Sequence, residues 1–138
     1  MLRLNYRFTH IAAYLTILHG VIYGIYKYFF QLETEYGIRP HPSQEIWQSV
    51  HILLSPLLIF AFGLLWQNHI VRMYENAIIK RKTGITLVIF MLLMIFSGYL
   101  VQVVYAVDLQ KYSAYLHIAV SAVFVLAYLI HHLQGRRR

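Results

Sequence analysis

The chain predicts an all-α fold, an integral-membrane four-helix bundle running up-down-up-down, and three observations carry that prediction. Of its 138 residues, 59% are hydrophobic and only 12% charged, with a mean hydropathy of +0.56. A soluble domain carries about a quarter of its residues as charges. The apolar residues fall into four runs of about 20 residues, the length that spans a bilayer core. The basic residues gather between alternate runs, as they do in multi-pass proteins.

The first run extends from about Phe8 to Phe30 and the second from about Trp47 to Ile70. The third covers about Ile85 to Val107 and the fourth about Tyr112 to Leu133. The first is longer than a signal h-region and lacks a small-residue cleavage site, so it reads as a retained helix. The connection from Gln31 to Ile46 holds the breakers Gly37, Pro40 and Pro42. A basic turn of about Val71 to Thr83 joins the second and third runs. The four runs leave space for a single domain, residues 1–138, and little else.

Arg3, Arg7, Arg72, Lys80, Arg81, Lys82, Arg136, Arg137 and Arg138 fall on one side of such a bundle, nine of the twelve Lys and Arg. Lys27, Arg39 and Lys111 fall on the other, diluted by Glu33, Glu35, Glu45 and Asp108. The positive-inside rule then puts both termini in the cytoplasm, in a bacterial-type inner membrane. The net charge of +7 reads as topology and contact with anionic lipid, not as nucleic-acid binding. Tyr23, Tyr26 and Tyr28, with Trp47 and Trp66, read as anchors at the bilayer interfaces.

Zero cysteines exclude thiolate-bound iron–sulfur clusters and covalent haem. A redox centre here would have to be held by histidine. His117 and His131 share the run YLHIAVSAVFVLAYLIHHL, fourteen residues apart. At ~100° per residue they project from one face, and at ~1.5 Å per residue they lie ~21 Å apart. His51, about a turn inside the second run, matches His117 in depth, since even-numbered helices run in the same direction. His10, near the start of the first run, matches His131. These four are the expected axial ligands, and the pattern predicts two haem b groups held by bis-histidine ligation.

Three histidines compete for the inner site. His69 lies eighteen residues after His51, five turns on, and pairs with His131 in a scheme where the second and fourth helices supply every ligand. His19 faces away from His10, and His132 points ~100° from His131. His41, between Pro40 and Pro42, reads as a surface residue. Ser55 and Ser121, each four residues beyond an outer ligand, leave room for a porphyrin edge, as does Gly24. Gly20 and Gly24 equally suit close helix packing. Arg7 and Arg72 are expected against haem propionates.

The pattern resembles the four-helix di-haem cytochrome b subunits of membrane formate dehydrogenases and nickel–iron hydrogenases. Arg7, His10 and Gly24 in RFTHIAAYLTILHGVIYG match the family's first helix, and His51 in WQSVHILL the second. Ser97 and Gly98 in FSGYL match the Ser/Thr-Gly step that ends the third. His117 and His131 match the histidine pair of the fourth. Departures are Ile11, where the family commonly has Trp, and Ser55 and Ser121, where it has glycine. The resemblance implies one haem between His51 and His117 on the external side and another between His10 and His131 on the cytoplasmic side.

It further implies the cytochrome b subunit of a quinone-linked oxidoreductase complex, carrying electrons between an external redox partner and the quinone pool. That partner would carry iron–sulfur clusters, c-type haem or a catalytic metal. In the family the cytoplasmic-side haem lies beside a quinone site, so the resemblance implies His132, His69 and Gln134, with Arg7 and Arg72, as residues lining one here. Two rivals stand beside this reading. One is a small quinone-linked oxidoreductase acting alone; the other is a haem-free membrane transporter or assembly protein. The runs contain no Asp or Glu of the kind that lines many ion pathways, which weighs against the transporter.

Overall fold

The structure is a computed structural model and describes residues 2–76 and 81–136. The all-α class holds, and four helices are long and apolar enough to cross a membrane, so this is a multi-pass membrane protein. In order come α1 (Leu2–Tyr28), strands β1 (Gln31–Thr34) and β2 (Gly37–Pro40), α2 (Ser43–Leu65), a π-helical segment (Trp66–Val71), α3 (Arg72–Asn76), α4 (Arg81–Val103) and α5 (Val107–Arg136). Each long helix begins several residues before its apolar run, where polar residues extend it toward the interface.

The chain divides into two compact units, Met1–Asn68 and His69–Arg138. In the first, α1 and α2 form an antiparallel pair. Phe8 meets Phe60 edge-on at 6.2 Å, while further along α1 the Thr16 hydroxyl lies 3.5 Å from the Leu54 carbonyl. Ala12, Ala13, Thr16 and Ala61 are buried, and small residues of this kind let membrane helices approach closely. Pro56 lies inside α2, where it removes one backbone donor without ending the helix. In the second unit α4 and α5 run antiparallel, and Met91, Ser97, Ser113, Val120, Phe124, Ala127 and Tyr128 are buried. Large apolar side chains such as Ile11, Leu53, Leu92 and Leu126 stay exposed, which suits a hydrocarbon solvent.

Two features depart from the expected connections. The Gln31–Ile46 segment holds a two-stranded antiparallel hairpin in which Thr34 pairs with Gly37. Gly37 takes φ +106°, a conformation that strains L side chains, and the Thr34 hydroxyl donates to its carbonyl at 2.7 Å. The second is the π-helical segment that follows α2 and carries His69. A wider turn breaks the α-helical phase, so the five-turn count from His51 to His69 does not carry across it.

Candidate functional site

In the first unit His51 projects from α2 onto the turn of α1 that contains Thr16 and Gly20. Its Nδ1 lies 3.2 Å from the Thr16 carbonyl. A carbonyl only accepts, so His51 Nδ1–H donates, and in the neutral ring Nε2 carries the lone pair. Gly20 is what lets the ring sit there: a Cβ at that position would stand 2.8 Å from His51 Cε1 and 3.1 Å from Nδ1. Tyr23, a turn further on, stacks on the same imidazole at 6.4 Å.

In the second unit His117 projects from α5 onto α4, where its Nδ1 lies 2.9 Å from the Ser97 hydroxyl. Ser97 donates its own hydrogen to the Met94 carbonyl at 3.3 Å, so it accepts from His117 Nδ1–H, and Nε2 again carries the lone pair. Gly98 lies beneath the ring, its virtual Cβ 3.3 Å from His117 Cε1. His131 repeats the arrangement at the other end of the helix pair. Its Nδ1 is 2.9 Å from the Thr83 hydroxyl, and Gly84 lies beneath it at 3.7 Å. Three of the four expected ligands thus rest in the same kind of cradle, a glycine under the ring and an oxygen at Nδ1.

His10 is half-buried on α1, ten residues before Gly20 and therefore ~15 Å from it along the axis. His117 and His131 are ~21 Å apart along α5. Neither separation brings two histidines of one unit to a shared metal. Among the described residues, no three His, Asp or Glu gather as a metal-binding group.

The competing histidines separate from one another. His69 comes beside His131, with ring centroids 6.3 Å apart and planes at 82°. His19 turns its Nδ1–H to the Leu15 carbonyl of its own helix at 2.9 Å, and its ring lies 5.5 Å from Trp47. His132 lies against Tyr128 at 6.0 Å. His41 does a structural job at the start of α2: its Nδ1 accepts the Ser43 N–H at 3.1 Å, the opposite polarity to the cradled rings.

The remaining site residues are less tightly tied in. The Ser55 hydroxyl bonds back to the His51 carbonyl at 2.8 Å. Ser121 is half-buried. A Cβ on Gly24 would meet nothing within 4 Å, so that position faces open space. Arg7 and Arg72 are exposed, as are Arg3, Arg81 and Lys82. Lys80, Arg137 and Arg138 lie outside the described residues, together with the side chains of Gln134 and Arg136.

Thr16, Gly20, Thr83 and Gly84 are the partners that sequence reasoning missed or left without a role. A signal for two of them was present. Thr83-Gly84 and Ser97-Gly98 are fourteen residues apart, the same spacing as His131 and His117. Compared with family models, with curated proteins and with solved structures, the chain matches none.

Proposed function

We propose that this protein is a membrane electron-transfer subunit that carries electrons through two b-type haems between an external redox partner and the quinone pool. The observation that carries the reading is the polarity of the imidazoles. His51 and His117 both donate through Nδ1 to an oxygen of the neighbouring helix, which directs an Nε2 lone pair at a metal. A cysteine-free donor set of paired imidazoles fits haem b, which when bound supplies a one-electron iron couple.

In this reading His51 and His117 ligate the outer haem, and His131 ligates the inner one with His10. A second assignment replaces His10 by His69, and the specific support for it is the 6.3 Å approach of the His69 and His131 rings. Gly24, Ser55 and Ser121 leave room at the haem edges, while Arg7 and Arg72 pair with propionates. The residues fix ring orientation and tautomer, and the surrounding apolar helices keep bulk water away. The basic residues orient the chain with both termini in the cytoplasm of a bacterial-type membrane. Quinone exchange belongs on that side, where His132 and His69 line the site. The partner outside carries clusters, c-type haem or a catalytic metal.

The test is anaerobic addition of a quinol analogue to the purified, oxidised protein while the α-band near a b-type haem is followed. Rapid reduction supports quinone-linked transfer. A haem-loaded protein inert to quinol, yet readily reduced by dithionite, contradicts it. Repeating the titration in His10→Ala and His69→Ala identifies the inner ligand, because only the true ligand's loss removes one haem per chain.

A further inference from the structure

We infer that Thr83 and Ser97 are positioning residues, one hydroxyl–glycine step for each of the two α5 imidazoles, acting on the metal through His131 and His117. The inference rests on the haem reading above and deepens it. The two steps, Thr83-Gly84 and Ser97-Gly98, repeat on α4 at the fourteen-residue interval that separates His117 from His131 on α5. The order is reversed, as antiparallel helices require: the later hydroxyl meets the earlier histidine. Both contacts are 2.9 Å. Equal spacing on both helices keeps the two half-sites in one rotational phase, since ~1400° is close to four turns.

The behaviour of other hydroxyls shows that this is not the default. A serine or threonine within a helix ordinarily bonds back to the carbonyl four residues earlier. Thr9, Ser55, Thr86 and Ser113 all do so, at 2.8–3.0 Å. Ser97 and Thr83 also lie within hydrogen-bond distance of an imidazole nitrogen of the neighbouring helix, which none of those four does. Ser97 is only 1% exposed, and its link to the Met94 carbonyl fixes which way the proton points. A hydroxyl accepting from Nδ1–H orients the ring, selects its tautomer and raises the basicity of Nε2. The more basic imidazole favours the ferric iron.

The experiment uses the full chain in detergent with haem supplied, comparing wild type, Ser97→Ala, Thr83→Val, Ser97→Thr and Thr83→Ser. Readouts are haem retention, midpoint potentials by redox titration, and EPR of the oxidised protein, with circular dichroism as a folding check. Loss of one hydroxyl is expected to weaken haem retention by ~10- to 100-fold and to move one midpoint potential upward. The hydroxyl-retaining variants should restore both. In haem-free protein labelled at histidine nitrogen, NMR should show Nδ1-protonated rings that lose this preference in Ser97→Ala and Thr83→Val. Helical, haem-loaded variants with unmoved potentials and EPR spectra would overturn the inference while leaving the haem reading intact. A helical wild type that takes up no haem would overturn the reading beneath it.

Discussion

Replacing Gly20 by alanine places a methyl carbon 2.8 Å from His51 Cε1, 3.1 Å from Nδ1 and 3.6 Å from Nε2. Non-bonded carbons prefer ~3.5–4.0 Å, so the imidazole must retreat by nearly 1 Å. That retreat carries Nδ1, already 3.2 Å from the Thr16 carbonyl, beyond hydrogen-bond range. Overpacking costs about 1–3 kcal/mol and the lost hydrogen bond about 0.5–1.5 kcal/mol. The better helix propensity of alanine returns about 0.5–1 kcal/mol. The net loss of stability is therefore modest, while the displacement of His51 is not.

The assay pairs thermal melting of haem-free protein with haem content after reconstitution. Gly20→Ala should melt somewhat lower and lose the haem proposed at His51. The same substitution at Gly98, with 3.3 Å to His117, should be milder, and at Gly84, with 3.7 Å to His131, milder still. Gly63, with nothing within 4 Å, is the control. Gly24 is equally open, so Gly24→Ala should leave haem-free protein unchanged and reduce haem content only if a porphyrin edge occupies that space. Equal behaviour of Gly20→Ala and Gly63→Ala would refute the argument that glycine makes room for the ring.

Further expectations follow from the other contacts. His41→Ala removes the ring that accepts the Ser43 N–H, so it should cost about 0.5–2 kcal/mol, as the loss of a helix N-cap does, with haem content unchanged. Thr16→Val removes a hydroxyl 3.5 Å from the Leu54 carbonyl but leaves the backbone oxygen that holds His51. It should cost under about 1 kcal/mol and leave the haem spectrum as in wild type; a lost outer haem would show that the hydroxyl, not the carbonyl, orients His51.

The four spans were legible because length and apolarity are properties of whole segments, insensitive to local packing. Helix ends were less so, since polar residues such as Arg3 and Asp108 continue the helices beyond their apolar runs. The 31–40 hairpin carried no burial alternation to read: all eight of its strand residues are exposed. The π-helical segment at 66–71 has no local sequence signature, and it removes the phase argument first used for His69. The α5 histidines were legible from their spacing. Their partners were harder to see, because Thr83-Gly84 opens α4 and reads as an ordinary helix start. Only its recurrence fourteen residues later as Ser97-Gly98 distinguishes it. Gly20 was legible as a small residue, but whether it admitted a cofactor, a helix or a side chain depended on where the His51 ring points.

Haem stoichiometry tests the central claim most directly. The chain should be expressed with haem available, purified, and assayed as the pyridine haemochrome against protein concentration. The account predicts about two b-type haems per chain, with reduced-minus-oxidised spectra to match. Well-folded, helical protein containing no haem would contradict it.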